Sequence, residues 1–315
     1  MRRLPRWLSL FAASSAVVLV LVAPASAKVP GPNGRIAFAR EISRLDDMAT
    51  FTIDPDGTDA ARLLPGASQV PRWSPDGSEI AVTSCQNPPD CTTAATIVDP
   101  DTGDVLRWFE FPSPDIFTVC VQWSPDGDRL ACEGYGNTDP ALNGIYSIDA
   151  TDGTDLTRIT SNRGGEDIPG DYSPDGSRIV FLRIEPDRPE GRSQALFIAE
   201  VDRSAKAHRI TPWGLSEETG SWSPDGEEIL FSGAGVLYTV SVDTGTIRRI
   251  RLAGPGLAFD PVWSPNGERI AFALYRRARL TSDIWTARAD GGGMTRVTQT
   301  RRWEHFPDWG PHPRR

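Results

Sequence analysis

The chain has 315 residues, with 42 acidic side chains against 33 lysines and arginines, a formal charge of −9. That balance argues against sequence-independent nucleic-acid binding, which needs basic side chains facing phosphates, and it suits solubility outside a cell. Residues 1–27 read as a secretory signal peptide. Arg2, Arg3 and Arg6 form a basic n-region, Leu8 to Val22 is an uncharged, largely apolar run of 15 residues, and Ala25-Ser26-Ala27 is an A-x-A cleavage site ahead of Lys28. The run is shorter than the ~20 residues a membrane span needs, and no second long apolar stretch follows. The expectation is cleavage after Ala27 and a secreted, extracytoplasmic mature chain, residues 28–315, with no membrane span. Loss of three arginines takes the charge from −9 to −12.

One phrase then recurs. It reads Trp73-Ser74-Pro75-Asp76-Gly77, Trp123-Ser124-Pro125-Asp126-Gly127, Tyr172-Ser173-Pro174-Asp175-Gly176, Trp222-Ser223-Pro224-Asp225-Gly226 and Trp263-Ser264-Pro265-Asn266-Gly267. Gly31-Pro32-Asn33-Gly34 is a partial copy at the start and Trp309-Gly310-Pro311 another at the end. The serines are 50, 49, 50 and 41 residues apart, a period that signals a repeat architecture.

Each repeat has the same grammar. Proline fixes the first corner of the turn, aspartate or asparagine tolerates the second, and glycine supplies the φ > 0 position. A three-residue hairpin loop, Pro-Asp-Gly, is expected, with Ser124 opposite Asp128. A short apolar strand follows, as in Arg35-Ile36-Ala37-Phe38 and Arg129-Leu130-Ala131-Cys132. An alternating strand comes next, as in Ile145-Tyr146-Ser147-Ile148-Asp149, and then a short one such as Arg158-Ile159-Thr160 or Arg296-Val297-Thr298. With the aromatic-bearing strand this makes four strands per repeat and an all-β pattern. Four-stranded sheets repeated radially make a β-propeller. Six copies of the Ile-Ala-Phe strand predict six blades. The chain starts on a second strand and ends on a lone first strand, so the C-terminal strand is expected to complete the N-terminal blade and close the ring. The repeated tryptophans are expected between blades.

These residues resemble the TolB-like family of six-bladed propellers with WD-like repeats, over about Lys28 to Pro311. The resemblance implies the fold and says little about function. About seven residues separate Ala27 from the first strand, so the α/β domain that precedes the propeller in family members is not expected. The repeat also resembles the propeller of prolyl oligopeptidase-type peptidases, which need a hydrolase domain with a G-x-S-x-G elbow. No such motif occurs.

The histidines are His208, His305 and His312. Only His305 precedes an innermost strand, and no serine is nominated beside it, so a Ser-His-Asp arrangement finds no support. Asp54-Pro55-Asp56-Gly57-Thr58-Asp59 looks like the start of a calcium loop but lacks the closing glutamate, and reads better as a β-turn. The loops entering the innermost strands should ring one mouth of the channel. They carry Asp167, Glu217, Glu218, Asp260, Glu304, His305 and Asp308, which can bind a cation or a basic partner or simply be solvated acids. Trp108, Trp213 and Trp303 lie outside the repeated phrase, after outermost strands, and suit either contact with a partner or packing under a loop. Cys85, Cys91, Cys120 and Cys132 suggest disulfides in an exported chain. The preferred pairing is Cys85–Cys91 and Cys120–Cys132, with the crossed pairing as alternative. Their spacings do not fit a four-cysteine zinc site.

The resulting expectation is a monomeric, non-enzymatic binding or scaffold propeller. It has no cofactor and no metal, and contacts a protein or an extracellular polymer through its loop face or channel mouth. The alternative is an enzyme of the propeller lactonase or lyase kind, with a cation held by the channel-mouth carboxylates.

Overall fold

The computed structural model describes residues 31–42, 47–86, 92–189, 191–202, 206–216, 218–277 and 280–312. The expected signal peptide, Cys91 and Glu217 lie outside the described residues.

The strands form six four-stranded antiparallel sheets. The first sheet holds β1 (Asn33–Glu41), β2 (Met48–Ile53) and β3 (Ala61–Arg62). The second is β4 (Ser68–Trp73), β5 (Ile80–Ser84), β6 (Thr93–Val98) and β7 (Val105–Glu110). The third is β8 (Ile116–Trp123), β9 (Arg129–Gly136), β10 (Gly144–Asp149) and β11 (Thr157–Arg158). The fourth is β12 (Glu166–Tyr172), β13 (Arg178–Ile184), β14 (Gln194–Glu200) and β15 (Ala207–Arg209). The fifth is β16 (Ser221–Trp222), β17 (Glu228–Gly233), β18 (Val236–Ser241) and β19 (Ile247–Arg249). The sixth is β20 (Leu257–Trp263), β21 (Arg269–Arg276), β22 (Thr281–Arg288) and β23 (Thr295–Arg296). The last strand, β24 (Glu304–Pro311), pairs with β1 and completes the first sheet in the order β24-β1-β2-β3. This is the expected all-β six-bladed propeller, closed by its C-terminal strand. The described residues contain one 3-10 turn, Pro140–Leu142, and no helix long and apolar enough to cross a membrane.

The repeated phrase works through its serine as well as its proline and glycine. Ser74 Oγ donates to Asp76 at 2.7 Å and accepts the Glu79 N–H at 2.9 Å. Ser173 and Asp175 repeat this at 2.6 Å, with the Arg178 N–H on Ser173 Oγ at 2.9 Å. The glycine sits at φ +75° in the first copy and +72° in the third. The loop is therefore one residue longer than expected. Ser124 N–H bonds the Arg129 carbonyl, not Asp128, because Asp126 takes the Asp128 N–H into the turn.

The repeated aromatics are buried, from 8% exposed at Trp73 to 1% at Tyr172, Trp222 and Trp309. They join blades as expected: Trp123 Nε1 donates to the Arg72 carbonyl of the preceding blade at 3.1 Å. Cys120 and Cys132 face each other on β8 and β9 and form a disulfide. Their pairing depends on a bulge between Cys120 and Gln122 that cancels the extra turn residue. Cys85 is also disulfide-bonded.

Candidate functional site

The innermost strands β4, β8, β12, β20 and β24 are irregular at one level, just before their aromatic residue. A bulge bends a strand and re-aims its side chains. Val70, Asp260 and Phe306 sit at this level with φ of +51°, +50° and +52°, a left-handed backbone that costs a non-glycine residue energy.

The space so framed is a central cavity of about 280 Å³. Its wall is largely apolar, with Val119, Val121, Ile168, Leu182, Val262 and Phe306. Five carboxyl side chains and one guanidinium also line it: Glu133, Asp171, Glu218, Asp260 and Asp308 against Arg72.

The residue before every repeated aromatic except Trp263, which follows Val262, builds a polar belt. Arg72 donates to Gln122 at 3.2 Å, and Gln122 donates to Asp171 at 2.9 Å. Asp171 also accepts the Trp222 N–H at 3.1 Å, and Asp308 accepts the Trp73 N–H at 2.8 Å. Gln122, Asp171 and Asp308 also border a space of only about 20 Å³ beside the Ser-Pro turns, room for about one water. The belt is thus the floor of the cavity, and the mouth lies at the loop end.

At the mouth, Glu218 accepts the Asp260 N–H at 2.6 Å and the Ser232 hydroxyl. Asp260 accepts the Phe306 N–H at 3.1 Å and faces His305 Nδ1 at 3.3 Å. Burial, and then the Asp260 charge, push the Glu218 carboxyl up. On the second strand of the third blade, Glu133 accepts the Tyr135 hydroxyl. Burial pushes Glu133 up to about 7, and the Glu166 charge adds to this.

The mouth candidates therefore separate. Glu218, Asp260 and His305 come together. Asp308 belongs to the floor. Asp167 and Glu304 are buried and lie against arginines on the neighbouring strand, Arg183 and Arg40, at 2.7 Å each. Each also takes a hydroxyl from the threonine two residues past an outermost strand, Thr160 at 2.7 Å for Asp167 and Thr298 for Glu304. They hold blades together. Among the described residues no group of three or more His, Cys, Asp or Glu side chains is placed to hold a metal ion. The Asp54–Asp59 segment is a turn in which Asp56 accepts the Thr58 N–H at 2.9 Å and its hydroxyl at 2.6 Å.

The three tryptophans also separate. Trp303 lies between Tyr275 and His305, stacked at 5.2 and 5.7 Å. Trp213 packs on Phe197 and under Arg188. Trp108 lies within the outermost strand β7, not after it, and is 39% exposed. Phe117, 40% exposed, adds an aromatic to the mouth beside Tyr135. Apart from Asp308, the belt was not singled out from the sequence, and neither was Glu133. The signal for the belt was available: Arg72, Gln122, Asp171, Ser221 and Asp308 are polar at one repeat position, directly before the buried aromatic.

Comparison with known proteins places this geometry in a family. The model described as "TolB beta propeller domain" matches residues 32–235. An uncharacterised protein of Agrobacterium fabrum is 28% identical over 206 residues, 64% of this chain and 63% of that protein. Dipeptidyl-peptidase 5 of Porphyromonas gingivalis is 28% identical over 137 residues, 41% of this chain and 20% of the peptidase. The chain thus spans less than two thirds of either relative. The crystal structure of TolB from Acinetobacter baumannii superposes with a TM-score of 0.68 at 22% identity, over 89% of this chain and 67% of that one, a likeness of fold.

Proposed function

The chain belongs to the TolB β-propeller family, and from that premise we propose that it is a secreted, non-enzymatic binding module that engages a protein or a cell-envelope polymer at its channel mouth. Residues 28–315 form the propeller and residues 1–27 the export leader. The observation that carries this reading is the cavity itself. It is apolar-walled and floored by the Arg72–Gln122–Asp171 belt; Tyr135, bonded to the lining Glu133, and Trp303, stacked on His305 next to the lining Phe306, carry the Phe117–Tyr135 and Tyr275–Trp303 ring pairs beside it. A concave, largely apolar pocket with a few placed polar groups is the usual form of a ligand site, and exposed aromatics at its edge suit contact with a partner. The peptidase likeness covers only 20% of that protein.

A photo-crosslinking residue placed at Phe117 or Trp303 tests this in the producing cells, with Asp126 on the opposite face as reference. Adducts from the mouth positions and none from Asp126 support it. Equal adducts from both faces, or none from the mouth, sink it.

A second reading, a lactonase- or lyase-type enzyme using a cation, draws on the Asp260–His305 contact beside Glu218. Elemental analysis before and after chelation separates the two. A stoichiometric divalent ion that is lost in Asp260→Ala favours the enzyme.

A further inference from the structure

The protein treats its buried carboxylates in two ways. Asp167 and Glu304 each have an arginine across the strand pair, at 2.7 Å. Glu133 and Glu218 are also largely buried, yet among the described residues no lysine or arginine lies within ion-pair distance of either. Glu133 has the Tyr135 hydroxyl, and Glu218 has the Ser232 hydroxyl and one backbone N–H. Both line the central cavity, and the groups nearest them add negative charge: Glu166 beside Glu133, and Asp260 beside Glu218 with His305 behind it.

This arrangement selects among ligands. A hydrated divalent ion needs several converging oxygens, and no three such groups converge among the described residues. An anion meets five carboxyl groups and one guanidinium, and that guanidinium, Arg72, is tied to Gln122 in the floor. A neutral apolar ligand fills the space but offers Glu133 and Glu218 no donor, so that each must hold its proton instead of ionising. A cation on an apolar stem satisfies both the wall and the acids. The volume, about 280 Å³, is near the lower end of ligand pockets, ~300–1,000 Å³, and admits a single chain end.

We propose that the cavity binds an aliphatic ammonium or guanidinium group, with its stem against Val119, Val121 and Ile168 and its charge at Glu218 and Glu133. This rests on the binding-module reading and names its ligand class. The group has two possible sources, a free diamine or polyamine, or a lysine or arginine side chain of a partner protein.

The test titrates the mature protein with 1-aminopentane and with pentan-1-ol, its neutral counterpart, following the methyl signals of Val119, Val121 and Ile168 by NMR. The amine is expected to bind at least about tenfold more tightly, a typical size for one desolvated charge pair. That advantage is expected to vanish in Glu133→Gln/Glu218→Gln and to persist in Asp104→Asn on the outer rim. Spermidine and a glycine-flanked single-lysine peptide separate the sources, since the tighter binder identifies which one the cavity is shaped for. Equal binding of amine and alcohol overturns the ligand class while leaving a ligand-binding channel in place. Amine signals that move elsewhere, or that ignore the double variant, also overturn it. No binding by either probe, together with absent mouth crosslinks, removes the binding-module reading as well.

Discussion

The Asp308 carboxylate accepts the backbone N–H of Trp73 at 2.8 Å, across 235 residues of sequence. It joins the strand that closes the ring to the first strand of the next blade. Asp171 makes the same bond to Trp222 three blades further on, at 3.1 Å. The repeat thus places an acid before one aromatic to hold the backbone of the next. Asp308→Ala should leave a buried N–H unpaired and lower stability by about 1–3 kcal/mol. Asp308→Asn keeps an acceptor and should cost less. Urea unfolding followed by tryptophan fluorescence measures both. An alanine variant as stable as the parent would mean that the clasp contributes nothing.

Asp167 and Arg183 form a buried ion pair, with side-chain exposures of 0% and 16%. Arg183→Ala strands a charge in the core and should destabilise by roughly 3–5 kcal/mol. Removing both partners should cost less than the sum of the single changes. Amine binding at the mouth should be unaffected in whatever fraction folds, because Asp167 does not line the cavity. Loss of binding in folded Asp167→Asn would return this residue to the functional set.

The Cys120–Cys132 disulfide is fully buried and closes a short loop, at a sequence separation of 12. Cys120→Ala/Cys132→Ala should therefore lower stability by only about 2–3 kcal/mol. Reductant should leave Cys120 and Cys132 oxidised in the native protein and reach them only when denaturant is present, whereas the exposed, disulfide-bonded Cys85 is open to reduction without it. Alkylation and site-resolved mass spectrometry report this, and rapid labelling of Cys120 or Cys132 in the native protein by iodoacetamide after mild reduction would contradict the burial.

The blades were legible because each letter of the Trp-Ser-Pro-Asp-Gly phrase has a backbone task, and such tasks repeat wherever the turn repeats. The bulges were not. Each left-handed residue at the bulges does precede a proline, Val70 before Pro71, Asp260 before Pro261 and Phe306 before Pro307, but that the strand bends there depends on how five innermost strands share one channel, a tertiary constraint. The turn length was misjudged for a related reason: the serine and aspartate side chains, not the proline, set the register. Among the mouth acids, Asp167 and Glu218 look alike in sequence. Their difference lies on the adjacent strand, where Arg183 faces the first and Ser232 the second. Glu133 was overlooked because it stands in an apolar strand, at the repeat position that Leu182 and Ser232 occupy in the next two blades.

Glu133 should give the protein an unusual pH profile. Its folded-state carboxyl is pushed from 4.5 to about 7, by burial first and by the Glu166 charge, against the Tyr135 hydroxyl bond that lowers it. In the unfolded chain it titrates near its ordinary value. Between the two, the folded state holds a proton that the unfolded state has released, so stability falls as pH rises through this window and levels off above it. Glu218, raised by burial and by Asp260, contributes with the same sign. The turn acids Asp76 and Asp175 are lowered, with their hydrogen bonds outweighing burial, and act in the opposite sense in a more acidic range. From pH 5 to pH 8 the Glu133 contribution to the loss should be on the order of 2–3 kcal/mol. Glu133→Gln should be flatter across that range and more stable than the parent at pH 8. Urea midpoints at half-unit pH steps provide the measurement. A parent profile that rises from pH 5 to 8, with Glu133→Gln parallel to it, would mean that the carboxyl ionises freely in the folded channel.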